Sequence, residues 1–222
     1  MVFLLDAVVK ALEQRNTVAQ MCLIDFKKTF DNIDHSTAVT RVQQCTKYKG
    51  QTSTRLTTTN GAAQGTCISP VIFLAVINNL LQNSSQKVKF VDDVTVYKVS
   101  KTAELQTNPL KQLVTTISMQ CKELKLIPNP NKCELLNINF LLQDVEFSDV
   151  QLDGNIIPCV STAKMVGLII NSSLTWQDHI DHIITKASKR LFMLFRARSF
   201  GATQEQQVQL YCRPILQYAC PV

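Results

Sequence analysis

The stretch VAQMCLIDF, residues 18–26, constrains the fold more than any other in this 222-residue chain. It is an almost continuous apolar run closed by a carboxylate at Asp25. Such a run has no polar alternation, so it reads as a strand buried on both faces, which requires a sheet with cover on either side. A carboxylate at its end marks the edge of that buried layer. The second informative stretch, VKFVDDVTVY, sets Asp92 and Asp93 between two flanks rich in Val, Thr, Phe and Tyr. Those flanks suit strands, and the two residues between them predict a tight hairpin with Asp92-Asp93 at its turn. Turn chemistry favours Gly or Asn-Gly there, and adjacent like charges repel, so the pair is either a solvated turn or a pair of acids aimed at a cation.

Around these strands the chain alternates helices and hairpins. An amphipathic helix opens it, and a short one is expected from Ser36. TSTRLTTTNG reads as an exposed strand and turn, and SPVIFLAVINNLL as a buried helix with Ser69 as N-cap and Pro70 first inside it. A helix over about 103–126 carries Pro109 as a kink or restart. NPNKCELLNINF is a loop entering a strand, KMVGLIINSSLTW a strand and turn, and residues 177–198 form the longest predicted helix. No repeat or low-complexity linker interrupts the series. The pattern predicts an α+β sheet domain followed by a helical C-terminal piece.

Bulk properties narrow the class. Hydrophobic content of 45% and charged content of 18% are globular values, and the net charge of +6 is compatible with a polyanionic partner. The eight cysteines show no C-x-x-C pair and no His at zinc-finger spacing, which argues against a disulfide framework or a structural zinc site. The opening apolar run is too short for a signal peptide, and Asn78 and Asn79 interrupt the longest later one. These features predict a reduced, soluble, intracellular protein.

If the strands ending at Asp25 and turning at Asp92-Asp93 are neighbours, three carboxylates converge. Oxygen ligands with little His or Cys nearby select Mg²⁺, or Mn²⁺, over softer metals. Two such ions on a reacting phosphate perform phosphoryl transfer. LIDFKKTFDNIDH, QGTCISPVIF, KFVDDVTVY, NPNKCELL, VGLIINSSLTW and RPILQYACPV occur in the order found in reverse transcriptases of non-LTR retrotransposons. Over nearly its whole length the chain resembles that family.

The resemblance implies a polymerase palm over residues 1–172, an antiparallel sheet with helices on one face, and a partial helical thumb over 173–222. It implies that Asp25 and Asp92 are ligands of both metal ions, that Asp93 is an accessory carboxylate, and that the Phe26 carbonyl assists one ion. Phe30 matches the aromatic beneath the incoming sugar, with Thr29 where a small Ala is usual. Gln64 and Gly65 match residues that contact the incoming nucleotide and template base, and Val91 replaces an Ala of the family's acidic box. Lys132 falls where a cation meets the leaving pyrophosphate, or is a loop lysine in water. Gly167 and Leu168 match the hairpin that grips the primer end, or belong to an ordinary core strand.

On the long helix, Ile180, Ile183, Ile184, Ala187, Leu191 and Leu194 share a face expected to be core. Lys186, Lys189, Arg190 and Arg196 share another, a solvated face or the start of a thumb against duplex phosphates. His179 and His182 have no third ligand and are assigned no metal. The implied partners are an RNA template, a DNA primer or RNA-DNA duplex, and deoxynucleoside triphosphates, in the nucleus or cytoplasm and away from membranes.

Against relatives the chain reads as shortened: only 24 residues precede Asp25, the interval from His35 to Gln64 is contracted, and no endonuclease or ribonuclease H segment is visible. The sequence therefore supports two expectations, an RNA-directed DNA polymerase fragment or a silent palm-thumb remnant that at most binds nucleic acid or a partner.

Overall fold

The computed structural model describes residues 2–27, 42–58, 61, 68–82 and 84–209. The strand expected to be buried on both faces is β1 (Thr17–Ile24), in which every residue but Leu23 is buried. Four strands join it in one sheet: β2 (Lys87–Phe90), β3 (Asp93–Lys101), β4 (Glu134–Ile138) and β5 (Cys159–Val160). β1 lies between β3 and β4, antiparallel to both, with Ile24 opposite Val94 and Cys22 opposite Leu135. β2 lies outside β3, and β5 runs parallel to β4 at the far edge. Gln20 is a buried polar residue in the middle of β1, and its amide donates to Asn137 directly across the ladder at 2.9 Å. An unpaired amide there would cost the full desolvation of its polar atoms.

Alternation along β1 sends Cys22 and Ile24 to one face and Ala19 and Met21 to the other. On the first face lie Phe73, Val76 and Ile77 from α2 (Ile68–Asn79) and the stripe Leu110, Val114, Ile117 and Cys121 from α3 (Pro109–Glu123). On the second face lie Leu4 and Val8 of α1 (Val2–Leu12), spaced i, i+4, with Met165 and Ile170 of a hairpin, β6 (Thr162–Met165) and β7 (Leu168–Asn171). The fold is thus α+β around an antiparallel core, with α2 and α3 on one face as expected. The first helix is an addition on the other face, where a strand buried on both sides needs it.

Two local expectations shift. α2 begins at Ile68, so Ser69 and Pro70 lie inside its first turn rather than at its cap. The helix expected over 103–126 is a 3₁₀ segment, Thr102–Thr107, and a separate α3. Between them Asn108 adopts φ 39° and its side chain accepts from Lys111 N–H at 3.0 Å, so Pro109 restarts the helix behind an Asn cap. The Thr-rich region contributes Leu56–Thr58, paired antiparallel with Val42–Gln44. The short helix expected from Ser36 lies outside the described residues.

Two lysines of β2 fasten the sheet edge to α2. Lys89 Nζ donates to the carbonyls of Ile77 (2.8 Å), Asn78 (3.2 Å) and Leu80, and Lys87 Nζ donates to those of Leu81 and Gln82. Carbonyls at a helix C-terminus lack intrahelical donors and carry partial negative charge, so ammonium groups are favourable there. Lys89→Met is expected to lower stability by about 1–3 kcal/mol, roughly 2–12 °C in melting temperature for a chain of this size. An unchanged thermal melt would show that the strut carries no stability.

After β7, α4 (Gln177–Ser199) docks through His179, whose Nδ1 accepts from Ile169 N–H at 3.3 Å and whose ring meets Trp176 edge-on. Burial, then the nearby His182, hold its pKa below the usual value, which keeps the imidazole neutral and able to accept. The apolar stripe expected to be core is a correction: among the described residues α4 buries only His179 and Ala187, while Ile180, Ile184 and Leu191 are exposed.

Candidate active site

Asp25 leaves the sheet immediately after β1. Its backbone carbonyl accepts from Asn129 N–H at 2.8 Å, Phe26 bridges to Pro128, and Lys27 N–H donates to Ile127 at 2.8 Å. The loop entering β4 is therefore clamped beside it. A short 3₁₀ turn, Pro130–Lys132, then brings Lys132 Nζ to 3.7 Å from Asp25 Oδ2, with Asn129 Nδ2 at 3.4 Å from the same oxygen. Lys132 is the counter-ion of Asp25.

The acidic hairpin turns one residue earlier than expected. Phe90 pairs with Asp93, so the turn residues are Val91 and Asp92, and Asp93 opens strand β3. Val91 takes φ 55°, a left-handed conformation that costs a β-branched residue about 1–3 kcal/mol. Its side chain packs against the core under α2 and α3, which offsets that strain. The consequence is positional. Because Ile24 stands opposite Val94, the residues just beyond the pair, Asp25 and Asp93, meet at the same end of the sheet.

Asp25 and Asp93 line one cavity of about 380 Å³ with Lys132, Asn131, Glu134 and Lys164, floored by Leu23 and Met165. Asp92 stays on the exposed turn, outside that lining. The Asp93 carboxyl is held above its ordinary value by burial first, then by Asp92 and Asp25, with Lys164 opposing. Like charges gathered in a partly dry cavity make ionisation costly until a cation arrives.

Phe26 is buried and held in its bridge to Pro128. Gly167, with φ 84°, forms the two-residue turn between β6 and β7 together with Val166 at φ 48°. Glycine suits that turn, since both central residues need positive φ. Leu168 is buried, so its side chain belongs to the core and only the turn faces outward. Lys186, Lys189, Arg190 and Arg196 are exposed along α4. Phe30, Thr29, Gln64 and Gly65 lie outside the described residues.

Sequence reasoning missed Lys164, Glu134 and Asn129. Lys164 had a signal, the alternation of β6, in which Ala163 and Met165 are buried and Lys164 is exposed between them. The other two needed the loop's path.

The donors at the cavity are hard oxygens, and Asp25 with Asp93 fits a Mg²⁺-like ion that takes one or two protein carboxylates and completes its shell with water and phosphate. Among the described residues no group of three His, Cys, Asp or Glu side chains is close enough to hold a metal ion by protein ligands alone. The fit is therefore to an ion shared with a phosphate substrate.

A family model described as reverse transcriptase (RNA-dependent DNA polymerase) matches residues 3–170. Among solved structures, the chain is similar to a foamy viral protease-reverse transcriptase in complex with RNA/DNA hybrid, at 18% identity and a TM-score of 0.39. That match covers 81% of this chain and 21% of the viral one, so the chain spans about a fifth of that protein. No curated protein matches the sequence.

Proposed function

The chain belongs to the reverse transcriptase (RNA-dependent DNA polymerase) family, and from that premise we propose that its cavity is the nucleotidyl-transfer site of a non-LTR retrotransposon enzyme. The observation that carries this is the placement of Asp25 and Asp93 on one cavity at adjoining ends of β1 and β3. In this reading residues 1–172 are the palm and 173–222 the beginning of a thumb. Asp25 and Asp93, with Asp92 beside them, hold two Mg²⁺ ions, Mn²⁺ being the alternative. When bound, such ions activate a primer 3′-hydroxyl and stabilise the leaving oxygen.

The chain's own residues supply the rest. Lys132 moves from Asp25 to the negative charge of the pyrophosphate. The Val166-Gly167 turn approaches the primer end, and Phe30, Gln64 and Gly65 shape the nucleotide pocket. RNA template, DNA primer and deoxynucleoside triphosphates are the partners, in nucleus or cytoplasm. No helix among the described residues is long and apolar enough to cross a membrane. Stabilisation by Mg²⁺ that Asp25→Asn and Asp93→Asn each abolish is the test of the site.

A second reading, nucleic-acid binding without turnover, is favoured by one observation: Asp25 is already engaged by Lys132 and Asn129. Both readings need a duplex partner. Replacing Lys186, Lys189 and Arg190 together with Gln is expected to weaken RNA-DNA duplex binding. The slope of log affinity against log salt should shrink by about 0.9 per lost phosphate contact. The fold should persist, since the buried residues of α4 are His179 and Ala187. Duplex binding that shows no salt dependence in the unaltered chain would remove the thumb from this proposal.

A further inference from the structure

The C-terminal half of α4 and its C-cap residue carry exposed aromatic rings that duplex phosphates do not explain. Phe192 and Phe200 are 67% and 78% exposed, far beyond what a ring gains by lying in water. Between them stands Arg196, its guanidinium 5.9 Å from the Phe192 ring centre and 5.5 Å from that of Phe200. The spacing i, i+4, i+8 continues the column from Phe192 and Arg196 on α4 to Phe200, the residue that caps the helix C-terminus. Arg–phenyl contacts of this kind hold the rings at fixed attitudes, because the guanidinium is planar and attracted to the ring faces.

The surrounding charge has one sign. Residues 182–204 contain Lys186, Lys189, Arg190, Arg196 and Arg198 and no Asp or Glu. The helix docks onto the hairpin through His179, so this column is not part of the described core. A surface that alternates cations with flat apolar rings complements a polyanion that itself offers flat apolar rings. Nucleic acid does so only where its bases are unpaired, since a duplex hides base faces inside its stack. A membrane-surface helix instead segregates its basic and apolar faces, whereas here the guanidinium lies between the rings.

We propose that Phe192, Arg196 and Phe200 form a stacking platform for unpaired nucleotides, beside the duplex-phosphate contacts of Lys186, Lys189 and Arg190. The column is ~12 Å long at 1.5 Å per residue, enough for about three bases at 3.4 Å each. The inference rests on the nucleic-acid-binding reading and adds where single-stranded template or displaced strand is held.

Fluorescence anisotropy on the full chain tests it with three labelled probes: oligothymidine, an abasic oligomer of the same length and charge, and a blunt RNA-DNA duplex. The oligothymidine should bind about 5- to 100-fold more tightly than the abasic strand, the range expected for base stacking. Phe192→Leu with Phe200→Leu should erase that difference while leaving abasic binding, duplex binding and melting temperature unchanged. Phe192→Trp with Phe200→Trp should preserve it.

Equal affinity for oligothymidine and abasic strand in the unaltered chain would overturn the platform, even with duplex binding intact. A lowered melting temperature in the Leu variant with equal loss on all probes would assign the rings to packing and overturn it as well. So would binding to phosphatidylserine vesicles that needs the same rings while oligothymidine shows no base dependence. Failure of the metal site has a separate signature: no Mg²⁺ shift at Asp25 and Asp93, with the base dependence at α4 retained.

Discussion

Asp93→Asn is expected to raise the melting temperature of the metal-free protein at neutral pH and to abolish its stabilisation by Mg²⁺ or Mn²⁺. Burial first, then Asp92 and Asp25, hold the Asp93 carboxyl above its usual value, against the opposing Lys164. The native state then binds the proton more tightly than the unfolded chain does. Stability consequently falls as pH rises from the ordinary Asp range through the raised folded value, and the penalty stays in place above it. Asn carries no charge and no such penalty, so melts across that pH window should flatten as well as rise.

With cation present the order reverses. An ion at a concentration of 100 times its Kd stabilises the native state by ~2.7 kcal/mol, roughly 5–11 °C for a chain of this size. The unaltered protein should gain that shift, and Asp93→Asn and Asp25→Asn should each lose it. Asp92→Asn separates the two hairpin acids. Because Asp92 lies on the exposed turn, it should retain most of the shift if Asp93 is the ligand that faces the ion. Scanning calorimetry with and without Mg²⁺ reads all of this. A lower melting temperature for metal-free Asp93→Asn, or an undiminished Mg²⁺ shift in it, would remove the site from the cavity.

The centre of the fold was legible because β1 leaves few choices. Its apolar run demands cover on both faces, and the alternation of Cys22 and Ile24 against Ala19 and Met21 supplies it. The acidic hairpin was legible as a hairpin but not in register. Turn chemistry pointed to the polar pair, whereas Val91 accepts a left-handed backbone because its side chain is anchored in the core, a tertiary effect invisible to local rules. The same limit hid the struts of Lys87 and Lys89, whose acceptors belong to another element. On α4 the helical period identified faces without saying which one meets the sheet. His179, set aside as no metal ligand, turned out to be the docking residue.

The isolated 222-residue chain is expected to give no template-dependent DNA synthesis above background in a primer-extension assay with RNA template, deoxynucleotides and Mg²⁺. Carboxylates can attract an ion, but most of a polymerase's advantage lies in aligning the primer hydroxyl with the reacting phosphate. Positioning of that kind lowers a barrier by ~7–11 kcal/mol, or about five to eight orders of magnitude in rate, so losing much of it puts turnover below detection. In this chain Lys132 and Asn129 already engage Asp25, Asp92 lies outside the cavity, and no three-ligand group stands ready among the described residues. Substrate must therefore displace Lys132 before any alignment exists, and that step consumes binding energy that would otherwise lower the barrier. Extension that requires both Mg²⁺ and the RNA template and vanishes in Asp25→Asn would refute this. It would mean that the ion and substrate together release Asp25 from Lys132, and that the 222 residues suffice for the chemistry of their family.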